Sequence, residues 1–197
     1  MVLGQVISNK EANREYDLRV TPPGVFFSIW GLIYANFVVT STYALIRDVW
    51  HIRTWLYYAL WNIVVSAWTL SFTSVTTVGL WVSFVMIIAS LFVMEAIWSS
   101  HIANKAFEGL IAVYTHNSYA LCIGWLVAAC NLGVGVMLTQ IFNLSYDAQL
   151  AVFWAMVPIT VGLFYLRHYK VAPVVSSIGL VLSTTWAVVG AIISSTG

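Results

Sequence analysis

Charge is what this sequence has least of. Its 197 residues carry 8 Lys+Arg and 7 Asp+Glu, 8% of the chain, against roughly 25% in a globular domain. A soluble fold of this size could not cover its surface with so few charged groups. Disorder is excluded on opposite grounds, because 61% of the residues are hydrophobic and a disordered chain needs low hydrophobicity and high net charge. A net charge of +1 leaves no basic field to hold nucleic acid. Cysteine is scarce as well. Cys122 and Cys130 lie eight apart in one apolar stretch, too far along a helix to bridge, and no CxxC or Cys/His spacing suggests a metal. They read as small packing residues. The three lysines, Lys10, Lys105 and Lys170, lie outside the apolar stretches, so a retinal Schiff base has no attachment point. No phosphate loop and no HExxH motif occurs.

What is present is apolar length. Six segments, A (about 22–46), B (55–74), C (77–101), D (117–140), E (147–167) and F (172–194), are each near the roughly 20 residues that span a bilayer as a helix. None shows the alternation of a transmembrane barrel strand. The fold class is therefore an all-α, polytopic bundle of about six transmembrane helices in an integral membrane protein. Residues 1–20 form a polar extramembrane arm whose six charges cancel. They have no apolar core like a signal peptide, and their acids argue against a transit peptide. Residues 21–197 form the membrane domain. Residues 105–116 form either a short interfacial helix or the start of D.

Local signals refine these segments. Thr21 is placed to cap helix A, and Pro22 and Pro23 are tolerated in a first turn. Pro158 removes a hydrogen bond inside E and predicts a kink. Gly124/Ala128 and Ala129/Gly133 are small-xxx-small pairs that let neighbouring backbones approach. The A–B, C–D and E–F loops carry Arg47, Arg53, Lys105, Arg167 and Lys170. That bias puts them on a cytoplasm-like or matrix-like face, side two, with both termini on side one. Whether the membrane is mitochondrial, of another organelle or bacterial stays open.

Tryptophan is abundant, with ten residues. Trp50, Trp55, Trp81 and Trp98 sit near segment ends and fit an interfacial belt. Trp30, Trp68, Trp154 and Trp186 come from four segments at similar depth, roughly 9–12 Å below side one at 1.5 Å per residue. They form either a ring of core aromatics or the wall of a cavity for a flat apolar ligand. Phe26, Trp30 and Tyr34, at i, i+4 and i+8, share one face of helix A.

Polar groups inside the segments are few: Asn36, Asn62, Glu95 and Asn131. An unpaired amide in hydrocarbon is costly, so these are expected to face other helices. Glu95 is the one acid inside a segment. It lies close enough to side two to reach headgroups or a loop cation, and Asn62 at similar depth is its expected hydrogen-bond partner. The histidines His51, His101, His116 and His168 cluster toward side two, at loops or helix ends, with no facing pair for a buried haem.

The run Thr21-Pro22-Pro23-Gly24-Val25-Phe26-Phe27-Ser28-Ile29-Trp30-Gly31-Leu32-Ile33-Tyr34 resembles the start of the second helix of the translocator protein family, also called tryptophan-rich sensory proteins (TspO), in a longer, divergent branch. Asn62 with Trp68, Gly124-Trp125-Leu126 with Ala128 and Asn131, and Trp186-Ala187-Val188-Val189-Gly190 follow in the order that the branch shows. The resemblance covers about residues 21–192. The Asn62–Trp68 and Trp125–Asn131 spacings depart from the pattern. The family has a membrane helix ahead of the proline motif, where this chain has the polar arm. The resemblance implies a receptor-like bundle, not an enzyme, that binds porphyrins, sterols or lipids. The candidate lining is Phe26, Trp30, Tyr34, Asn62, Trp68, Trp125, Asn131, Trp154 and Trp186. The alternative is a structural subunit of a larger respiratory or photosynthetic membrane complex. In it the same fold would contact lipids and the helices of other subunits or of its own copies. A transporter using Glu95 is a third reading.

Overall fold

The computed structural model describes residues 21–104, 107–171 and 177–196. The polar arm, Lys105 and the first part of segment F lie outside the described residues. Among the described residues there are six α-helices and no strand: α1 (Ile29–Arg47), α2 (Ile52–Phe72), α3 (Thr77–Asn104), α4 (Gly109–Gln140), α5 (Tyr146–Val171) and α6 (Ile178–Thr196). A 3-10 turn, Gly24–Ser28, leads into α1. Five of these elements are long and apolar enough to cross a membrane. The chain is an integral membrane protein. The remaining helix, α2, has 21 residues, long enough to span, but Arg53, Asn62 and two adjacent tyrosines, Tyr57 and Tyr58, make it more polar.

The helix ends follow their local chemistry. Thr76 Oγ1 accepts from the Gly79 N–H at 3.0 Å, capping α3. Asn117 Oδ1 reaches across from α4 to accept the Gly179 N–H at 2.8 Å, which satisfies an orphan donor of α6. Thr21 does not cap α1. That helix is entered through the 3-10 turn, in which the Phe26 N–H donates to the Pro23 carbonyl. The segment 105–116 resolves in favour of a longer D, since α4 begins at Gly109. Helix α5 runs through Pro158, which faces outward.

Helix α4 is the axis of the bundle. In its most apolar stretch 61% of residues are buried, against 17% for α5. Ten consecutive residues, Ser118 to Val127, are buried, so this helix is surrounded on every face. It packs on α3, α6, α5 and, more lightly, α1, while α2 lies along α3. Gly124 marks one close approach. A Cβ there would stand 2.7 Å from the Leu180 carbonyl oxygen on α6, so only a glycine lets α4 and α6 meet at this point. Residue pairs that meet give the directions. Trp30 with Trp125 and Phe37 with Tyr119 make α1 antiparallel to α4.

Two apolar cores result. The larger unites α1, α2, α3, α4 and α6 around Ile33, Phe37, Trp61, Trp98, Tyr119 and Trp125. The smaller lies toward side one, where Leu80, Val136, Met137, Phe153 and Ala191 meet.

Candidate functional site

The aromatic residues of the first core form a continuous seam across three helices. The Trp30 ring stacks on Tyr34 one turn later on α1, with centroids 5.7 Å apart. It meets Trp68 of α2 at 6.0 Å and the edge of Trp125 of α4 at 6.4 Å. Tyr34 continues to Trp61, and Trp61 meets Phe37 edge-on at 5.1 Å. These spacings are those of rings in direct contact. Indoles from α1, α2 and α4 thus converge, and they fill the space between the helices. Trp125 and Trp61 are buried, whereas Trp30 and Trp68 are half-buried and Tyr34 is exposed. The seam therefore has a buried edge against α4 and an open edge between α1 and α2.

The remaining expected site residues are placed differently. Phe26 lies in the 3-10 turn, off the helical stripe of Trp30 and Tyr34. Its ring packs against Trp186 of α6 at 4.7 Å, and the Trp186 Nε1–H donates to the Phe26 carbonyl at 3.0 Å. A Cβ on Gly190 would come within 2.8 Å of Pro22 and 2.9 Å of the Phe26 ring. The proline turn is therefore seated on the bare backbone of α6. Trp154 does not join the seam. It belongs to the smaller core, against Phe153. Similar depth did not bring the four indoles together, because depth leaves each helix's rotation undetermined.

Asn62 points outward, and its Nδ2 donates to the Tyr58 carbonyl of its own helix. The expected Asn62–Glu95 hydrogen bond is absent. Asn36 does meet another helix, accepting from the Tyr114 hydroxyl at 2.6 Å. Asn131 is 3% exposed. Its Nδ2 donates to the Val127 carbonyl at 2.8 Å and to Thr160 Oγ1 of α5 at 3.0 Å. Beside it runs a groove between α4, α5 and α6, whose lining includes Pro22.

Glu95 finds the loop-side cation that its depth allowed, and a second partner that sequence reading missed. Arg167 Nε donates to Glu95 Oε2 at 2.9 Å, and an Arg167 Nη reaches Ser99 Oγ at 3.3 Å. His168 Nε2 stands 2.7 Å from Glu95 Oε1. The His168 ring stacks on Trp98 at 3.8 Å, nearly parallel. Glu95 and His168 are both buried, while the guanidinium lies at the edge. His101 is buried too, stacked on Tyr119 and flanked by Trp50. The view of these histidines as peripheral is thus corrected for His101 and His168. Trp50 and Trp98 are likewise core residues, not belt residues. Helix ends reach the core because α3 and α4 extend well past the length of a minimal span. Adjacent Arg167 and His168, on the same side as Glu95, were the available signal.

Among the described residues, no group of three or more His, Cys, Asp or Glu is arranged to hold a metal ion. These features define a polytopic helical membrane protein with a large tryptophan-rich core. Compared with known proteins, the chain matches no family model, no curated protein and no solved structure.

Proposed function

We propose that this is a TspO-like membrane protein that binds a small apolar ligand, planar or lipid-like, and catalyses no reaction. The observation that supports this most is the seam of Trp30, Tyr34 and Trp68. It is a run of large rings in mutual contact with one edge uncovered. A porphyrin or sterol would lie flat against that edge, between α1 and α2, gaining dispersion and apolar burial. The Asn62 amide and Trp154, which packs against the smaller core, take no part in such a contact. The test is titration of a porphyrin into the purified protein while tryptophan emission is followed. Saturable quenching that weakens in Trp30→Ala and Trp68→Ala but persists in Trp154→Ala supports the reading. Quenching that never saturates, or that is indifferent to all three changes, removes it.

A second reading is a structural subunit of a larger membrane assembly. It draws on the thin coverage of α1 and α5, buried over 28% and 17% of their most apolar stretches, and on the outward amide of Asn62. Extraction from native membranes in mild detergent separates the two. A high-mass band on a native gel favours assembly, and migration as a lone 21.9 kDa chain in its micelle opposes it.

A further inference from the structure

We infer that the groove beside Asn131 is a binding site for a slender, neutral alcohol, a long-chain or isoprenoid alcohol, whose hydroxyl donates to Asn131 Oδ1. This goes beyond the aromatic seam and does not rest on it, since no tryptophan lines the groove.

The argument begins with the amide. Its Nδ2 faces the Val127 carbonyl and Thr160 Oγ1. The carbonyl can only accept, and the Thr160 hydroxyl hydrogen is directed at the Met156 and Val157 carbonyls. Both partners therefore demand a donor, which determines which end of the amide faces them. Oδ1 is left as a buried acceptor without a donor. Such an atom in an apolar surrounding is unfavourable until something supplies a hydrogen.

The lining cannot supply it. Ala128, Val157, Val161 and Ala187 are apolar, and the Thr184 hydroxyl donates to the Leu180 carbonyl of its own helix. No cation lines the groove, so a carboxylate or phosphate head has no counter-charge and would set acceptor against acceptor. Depth also opposes a charged head. Asn131 lies nine residues before the end of α4 at Gln140, roughly 14 Å along the helix. Shape opposes a fused ring system. The groove offers only about 10 Å³ to a water-sized group, room for a hydroxyl and not for a ring, so the chain of the alcohol lies along its open side. The free volume is about 330 Å³ when the open side is counted. A single flexible chain can enter from the bilayer along the α5–α6 seam, where those two helices touch only lightly.

The experiment uses the full chain in phosphatidylcholine nanodiscs with two photoreactive diazirine probes, hexadecanol and its methyl ether. They share an apolar body, and only the alcohol can donate. Crosslinked peptides are mapped by mass spectrometry. The alcohol is expected to label residues 128–132 and 184–191 about fivefold more than the ether, the preference that one neutral hydrogen bond confers. Unlabelled hexadecanol should compete and hexadecane should not. Asn131→Leu should bring the ratio to about one. Equal labelling by both probes in the unaltered protein, or no labelling of these peptides, overturns the inference and needs no variant to fold. Porphyrin quenching read on the same sample stays separate. Loss of one result with retention of the other identifies which proposal has failed.

Discussion

Glu95 on α3 and His168 on α5 meet at 2.7 Å in a site buried from solvent. The two helices belong to different parts of the chain, 73 residues apart, and this carboxyl–imidazole contact joins them. Arg167 completes the cluster from the exposed edge. Breaking a buried ion pair by removing one partner is costly because the other charge is left uncompensated. Here Arg167 can turn toward water or headgroups, which softens the loss. Glu95→Gln is therefore expected to lower stability by about 2 kcal/mol, in the range of a charged hydrogen bond. Thermal unfolding in detergent would show this as a Tm lower by about 4–8 °C. An unchanged Tm would mean the cluster contributes no net stability.

The seat of the proline turn gives a sharper contrast. Gly190→Leu would drive side-chain atoms into Pro22 and Phe26, so the turn must lift from α6. The Trp186–Phe26 hydrogen bond would go with it. A loss of about 1–3 kcal/mol is expected from overpacking. Gly162→Ala on α5 meets nothing within 4 Å and should stabilise by up to about 1 kcal/mol through helix propensity. Tm values of the two variants should move in opposite directions.

Trp61 and Trp81 separate core from belt. Trp61 is fully buried and touches Tyr34, Phe37 and Tyr58. Its truncation to alanine should cost about 3–5 kcal/mol. Trp81 is 44% exposed and meets Phe142 at its edge, so Trp81→Ala should cost under about 1 kcal/mol. Similar losses at both positions in thermal unfolding would contradict this division.

Asn62 tests whether α2 faces lipid or another chain. Its amide satisfies itself on its own helix and is exposed. Against acyl chains, Asn62→Leu should be neutral or raise the Tm, because it replaces a polar group by an apolar one. Loss of a high-mass band on native gels, with no change in the stability of the isolated chain, would instead assign Asn62 to a partner contact.

Much of this architecture follows from composition and run length. So few charges and six apolar runs of bilayer length leave a helical membrane bundle as the only economical solution, since every backbone group in hydrocarbon must bond within its own helix. The need of buried amides for partners also pointed correctly at Asn36 and Asn131. Helix rotation was beyond reach. In an amphipathic soluble helix the apolar stripe reveals the inward face, but here both lipid and core are apolar, so Trp154 and Trp68 look alike in the sequence. Only packing put Trp68 on Trp30 and Trp154 in the smaller core. The same blindness hid His168 from Glu95. Their encounter depends on how α3 and α5 are rotated around α4, and that is decided by close contacts such as Gly133 against Phe84 and Asn131 against Thr160, which exist only once the helices have met.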